Sequence, residues 1–157
     1  MSQFPLVQFP LGRRSPLSGG EARGKVVFTI ALEVVDGTIT LELRDQDGND
    51  YIAINEDSVV EVVLNGDQLF FSKAHDAVTM KGPDLEHYYG QLVYGLYDKE
   101  LDRYKSVSFH ARYNQGGKFD TTHGFNVNVD FFRPGDCPDF IGLSIDPDIK
   151  NPPPNKN

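Results

Sequence analysis

The cleanest alternation of apolar and polar residues lies in two neighbouring segments. In the first, Val107, Phe109, Ala111 and Tyr113 share one parity, while Ser106, Ser108, His110 and Arg112 take the other. In the second, Phe125, Val127, Val129 and Phe131 alternate with Asn126, Asn128 and Asp130. Period two marks a strand with one buried face, and the two segments are expected to pair as a hairpin with one apolar and one polar face. The connection Asn114-Gln115-Gly116-Gly117-Lys118-Phe119-Asp120-Thr121-Thr122 is longer than a tight turn. Long loops on a rigid scaffold are favoured places for function.

The rest of the chain reads the same way. Residues 25–35 are rich in β-branched side chains, and Asp36-Gly37 then signals a tight hairpin into 38–44, where Ile39, Leu41 and Leu43 alternate with Thr40 and Glu42. Short strands are expected at 51–54 and 58–64, with 68–72 pairing back on the latter, and a weaker one at 77–81. Pro83 and Asp84 suit the start of one helical turn over 85–89. A strand follows at 91–97, with Gly95 a candidate bulge, and a last one at 140–145. Roughly eight to ten short strands separated by Gly, Asn and Asp turns predict an all-β fold, an antiparallel two-sheet β-sandwich, immunoglobulin-like or jelly-roll-like, with little helix.

Three regions follow from composition. Residues 1–24 repeat Gln3-Phe4-Pro5-Leu6 as Gln8-Phe9-Pro10-Leu11. Prolines at this spacing forbid a helix, leaving either an extended arm that docks on a sheet edge through Phe4, Leu6, Phe9 and Leu11 or a disordered leader. Residues 25–146 form the sandwich domain. Residues 147–157, with Pro152-Pro153-Pro154, read as an extended proline-rich tail.

Charge and cysteine content narrow the function. The formal net charge of −8 argues against nucleic acid and anionic membrane as partners, because both surfaces would repel the chain. No run approaches the roughly 20 apolar residues of a membrane span, so a soluble, cytoplasmic protein of bacterial type is expected. The single Cys137 excludes an intramolecular disulfide and reads as a reduced bystander. Asp45-Gln46-Asp47-Gly48-Asn49-Asp50 echoes an oxygen-rich cation loop, but its glycine stands fourth and not sixth, so neither metal nor cofactor is assigned.

Carboxylates carry the remaining chemistry. Asp136, Asp139, Asp146 and Asp148 lie close in sequence near the C-terminus. Two carboxylates forced together cannot both ionise easily, so one can act as acid and the other as base; solvated loop acids are the plainer reading. Asp146-Pro147 is the one Asp-Pro bond, and its carboxyl can attack its own peptide carbonyl.

The hairpin Val107-Ser108-Phe109-His110-Ala111-Arg112-Tyr113, the segment Gly124-Phe125-Asn126-Val127 and the tail Asp146-Pro147-Asp148 through Pro152-Pro153-Pro154 resemble the DP-EP family of small bacterial all-β proteins, assigned as self-processing aspartic peptidases. The resemblance implies an aspartic endopeptidase that cleaves its own chain or a peptide substrate, in a homo-oligomer. Asp-Thr-Gly and Asp-Ser-Gly are both missing; Asp120-Thr121-Thr122 comes closest, with Thr122 where the motif has glycine. Asp120 is then the candidate water-activating carboxylate, paired with its copy in another subunit or with Asp136 or Asp139; alternatively Asp146 cleaves the bond on its own C-terminal side. His110 and His123 are candidates to assist proton transfer; the plainer reading is that His110 lies on the polar face of a strand and His123 merely begins one. The alternative is a non-catalytic binding or assembly module that docks through its Phe-Pro arm and polyproline tail.

Overall fold

A computed structural model describes residues 4–5, 7–17, 22–118 and 120–154; Leu6, Phe119 and the end of the proline-rich tail, all named above, lie outside the described residues. The chain is a two-sheet β-sandwich with 54% strand and 4% helix, as the alternation predicts. Among the described residues no helix is long and apolar enough to cross a membrane.

One sheet has five strands in the order β3 (Thr38–Arg44), β2 (Gly24–Val35), β5 (Ser58–Asn65), β9 (Arg103–Ala111) and β8 (Tyr89–Asp98). The other is built on the twelve-residue β10 (Thr122–Arg133). Along one edge β10 pairs with β7 (Val78–Met80) and then β6 (Leu69–Phe71); along the other it pairs with β12 (Asp148–Lys150) and then β11 (Asp139–Ile145). The short β1 (Phe9–Pro10) extends this sheet beyond β7, and β4 (Ile52–Ala53) lies parallel to β12. The expected last strand is thus followed by a further one inside the residues read as a tail.

The β2–β3 hairpin forms as expected. Val35 pairs with Thr38, and Asp36 and Gly37 both have positive φ, 50° and 76°, which is the tight turn whose twist suits a hairpin. The helical turn expected over 85–89 is present at Leu85–His87, and a second short one lies at Gln115–Gly117. The register irregularity in β8 lies between Gly90 and Val93, not at Gly95.

Two expected pairings are corrected. The segments 104–113 and 125–131 do not form a hairpin: β9 lies between β5 and β8 in one sheet, and β10 runs through the other. Their apolar faces are both consumed, but across the core. Val107, Phe109 and Ala111 belong to the same buried cluster as Phe125, Val127 and Val129. Alternation identifies a face and says nothing of which neighbour lies beside the strand, and the ten residues 112–121 are ample to cross the roughly 10 Å between packed sheets. Likewise β6 does not fold back on β5; it crosses to β10, because Leu69, Phe70 and Phe71 are all buried and suit a strand covered on both faces.

The outer face of β10 is polar yet buried: Asn126, Asn128 and Asp130 are nearly inaccessible. The N-terminal arm covers part of it. Asn128 Nδ2 donates to Gln8 Oε1 (2.7 Å) and to the Asp76 carbonyl (2.8 Å), and Thr79 bonds Gln8 as well. Phe4 lies directly on Gly142, where any Cβ would collide with its ring. Of the two readings left open for the arm, docking on this chain's own sheet is the one observed for its described residues.

Candidate functional site

The four expected catalytic carboxylates are not gathered. Asp120 precedes β10 while Asp136 and Asp139 follow it; at roughly 3.4 Å per residue a twelve-residue strand holds the two ends on the order of 35 Å apart. No pair of Asp120 with Asp136 or Asp139 therefore forms within one chain. Asp136 is exposed in the turn after β10. Asp139 accepts both arms of Arg133, Nε at 2.8 Å and the second nitrogen beside it, and this pairing lowers its pKa. Asp146 faces Lys81 Nζ at 3.5 Å. Asp120 Oδ1 accepts the Thr121 amide at 2.7 Å, closing a local turn at a positive φ of 45°. In the acidic loop, Asp45 Oδ1 accepts the Asp47 and Asn49 amides, each at 2.8 Å, and Oδ2 accepts Asn49 Nδ2 at 3.1 Å, so this carboxylate caps its own turn.

What the fold does gather is a buried polar network under the connection 112–121. Asn114 and Asn151 are 1% and 0% exposed. Asn114 donates its amide to Asn151 Oδ1 (2.8 Å) and its Nδ2 to the carbonyls of Asn151 and Asp120 (both 3.0 Å). Asn151 Nδ2 donates to Tyr89 Oη (3.1 Å) and to the Arg112 carbonyl (2.8 Å). Tyr89 Oη lies 2.6 Å from His123 Nδ1, and His123 Nε2 lies 3.2 Å from the Asp120 carbonyl. A neutral imidazole has one donor, so the chain of bonds has a direction: Asn151 to Tyr89, Tyr89 O–H to Nδ1, and Nε2–H to the Asp120 carbonyl. Burial raises the Tyr89 pKa and keeps its hydroxyl a donor.

Asn114 of this network also lines a cleft of about 680 Å³. So does Arg23, whose amide bonds the Asp57 carbonyl at 2.9 Å. Asn55, Glu56, Asp57, Tyr88, Arg112, Tyr113 and Lys118 line it as well. Asp57 Oδ1 accepts the Tyr113 amide at 2.9 Å, so two of the lining residues are bonded to each other. Arg23, Arg112 and Lys118 are exposed, and among the described residues none of the three is in an ion pair. Three uncommitted cations facing one polar hollow can hold an anion of several charges, and the two tyrosine rings supply flat apolar surface beside it. Among the described residues no cluster of three or more His, Cys, Asp or Glu is arranged to hold a metal ion.

Residues 1–154 match the family pNTSase1, described as "Predicted novel nucleotide synthetase". The chain belongs to this family. The match covers nearly the whole sequence and overturns the resemblance to the DP-EP peptidases: the pNTSase1 description is of an enzyme, but not of an aspartic endopeptidase or any other hydrolase. It gives no support to a non-catalytic assembly module either. No curated protein matches the chain.

Sequence reasoning named Lys118 and Arg112 only as members of a loop and a strand, and missed Arg23, Asn114 and Asn151 as partners. No signal in the sequence singles these cations out among its 15 Lys and Arg, because positions 23, 112 and 118 come together only in the fold. The same holds for Asn151, whose burial follows from β12 pairing with β10.

Proposed function

We propose that the protein is a nucleotide-handling enzyme of the synthetase kind given in its family's description, and that the polar cleft holds the nucleotide. The observation that carries this is the convergence of Arg23, Arg112 and Lys118 on one hollow of an acidic chain. A polyphosphate is repelled by most of this surface and attracted here, and guanidinium forks match phosphate oxygens in geometry. Tyr88 and Tyr113 offer ring faces to a base, while Glu56 and Asn55 are acceptors suited to ribose hydroxyls. The Asn114–Asn151 network fixes the backbone from which Arg112 and Lys118 project, which spares the ligand the cost of ordering it.

Titration calorimetry with ATP tests this reading. The expected result is saturable binding that weakens with salt and falls about tenfold or more in Arg112→Ala or Lys118→Ala, since each removes a charged hydrogen bond worth roughly 1.5–3 kcal/mol. Binding unchanged in both variants would move the nucleotide elsewhere on the protein. Failure of the wild type to bind any of ATP, GTP, CTP or UTP would remove the reading altogether.

A further inference from the structure

On the outer face of the five-stranded sheet, away from the cross-sheet core, a serine hydroxyl sits on a histidine. Ser15 Oγ and His110 Nδ1 are 2.5 Å apart, although 95 residues separate them. The Leu17 amide already donates to Ser15 Oγ at 3.2 Å. In the tautomer of His110 that protonates Nε2, the hydroxyl donates its proton to Nδ1, and Oγ retains a lone pair beside the Leu17 bond. A nucleophile bonded to a base in this way is the recurring arrangement of activated serines.

The sequence explains how the arm brings Ser15 there. His110 lies on β9 between Val59 of β5 and Gly90 of β8. Gly90 has no side chain, and the arm occupies that space: Gly12 bridges to Gly90, Gln91 N–H donates to the Gly12 carbonyl at 2.7 Å, and a Cβ on Gly90 would collide with the Arg14 carbonyl. With the arm pressed on the glycine, the next residue meets the imidazole. Arg13 and Arg14, both exposed, immediately precede Ser15 on the arm and add positive charge to it, and Ser15 itself is half-buried.

We propose that Ser15 is a covalent nucleophile toward anionic phosphoryl esters or anhydrides, with His110 as its base. In the step, the Ser15 Oγ–P bond forms as the bond from phosphorus to the leaving oxygen breaks. The hydroxyl proton passes to His110 Nδ1, and the leaving group departs as its oxyanion. The two charges that Arg13 and Arg14 add to the arm attract the anionic reagent. The product is a phosphorylated arm serine beside an imidazolium. This site is independent of the nucleotide cleft and stands or falls separately from it.

The test is incubation of the full chain with excess p-nitrophenyl phosphate, read by release of p-nitrophenolate, intact mass and peptide mapping. The expected result is stoichiometric gain of one phosphoryl group at Ser15, absent in Ser15→Ala and retained in Ser15→Cys as a phosphorothiolate. In His110→Gln, which keeps a hydrogen-bonding side chain but no base, the rate should fall roughly a hundredfold or more. Amide exchange at Gln91 reports whether the arm is docked in each variant. No mass gain in the wild type, or gain that persists in Ser15→Ala, overturns the proposal. So does an unchanged rate in His110→Gln with the arm docked.

Discussion

Asn114 and Asn151 bond each other in both directions: the Asn114 amide donates to the Asn151 side chain at 2.8 Å, and the Asn114 side chain donates back to the Asn151 carbonyl at 3.0 Å. Each then spends its remaining side-chain capacity on a backbone group or on Tyr89. Removing either amide strands several groups in a place that water does not reach. Asn151→Ala is expected to cost about 3 kcal/mol, from buried donors and acceptors left unmade at roughly 1–3 kcal/mol each. Urea unfolding measures it, and a loss under about 1 kcal/mol would mean that water or a relaxed loop replaces the amide.

Tyr89 predicts a dependence on high pH. Burial raises its folded pKa well above the ordinary value of 10. The folded protein therefore keeps a proton that the unfolded chain releases, and the stabilisation is complete below pH 10 and declines as pH rises above it toward the folded pKa. The slope contributed by one such group is at most about 1.4 kcal/mol per pH unit. Tyr89→Phe should unfold more easily at pH 7, having lost the hydroxyl between Asn151 and His123, yet lose less stability than the wild type between pH 10 and 11. Parallel pH profiles for the two proteins would assign the alkaline loss to other tyrosines.

Gly90→Ala tests how the arm is held. The added methyl group meets the Arg14 and Gly12 carbonyls, which are backbone and cannot swing aside as a side chain would. The arm should lift from β8 while the sandwich stays folded, because Gly90 contributes no side chain to the core. The readout is faster amide exchange at Gln91, whose bond to Gly12 is lost, with the exchange of β5 and β9 amides unchanged. Protection of Gln91 at the wild-type level would show that the strand shifts instead of the arm.

The strands were legible because their cause is local. Val60, Val62 and Leu64 on β5, or Ile39, Leu41 and Leu43 on β3, alternate with residues that face away, and Asp36-Gly37 supplies the positive φ angles its turn needs. The partners of those strands were not local. Nothing in Phe125-Asn126-Val127 says that its neighbours are β7 and β11 and not β9. The site suffered the same loss. Asp120 was a candidate partner for Asp136 or Asp139, but a single extended strand holds it apart from both, whereas Arg23 and Lys118, 95 positions apart, line one cleft. The polar outer face of β10 misled in another way. Asn126, Asn128 and Asp130 read as solvent-facing and are buried, because the arm and the cationic side chain of Arg103 lie over them.

That last pair supports a prediction about electrostatics. Arg103 Nε donates to Asp130 Oδ2 at 2.7 Å, with side chains only 14% and 10% exposed, and so ties the start of β9 in one sheet to β10 in the other. The guanidinium also bonds the Leu101 carbonyl at 2.8 Å and lies 3.6 Å over the Phe140 ring, while Asp130 accepts the Lys73 amide at 3.1 Å. Truncating one partner leaves the other charge buried without its counterion, a loss of about 3–5 kcal/mol where burial is complete and less at this depth. Asp130→Asn should therefore destabilise the fold clearly, and by nearly the same amount at low and high salt, since buried pairs are little screened. Arg103→Met/Asp130→Asn should cost less than the two single changes added together, because the second removes the stranded charge created by the first. The exposed pair Lys73–Asp102 serves as the contrast: its side chains are 60% and 54% exposed, and Lys73→Ala should leave stability unchanged within error. Additive single changes at Arg103 and Asp130, in guanidinium-free urea denaturation, would show that the packing of Arg103 on Phe140 and not the charge pair holds the two sheets together at this end.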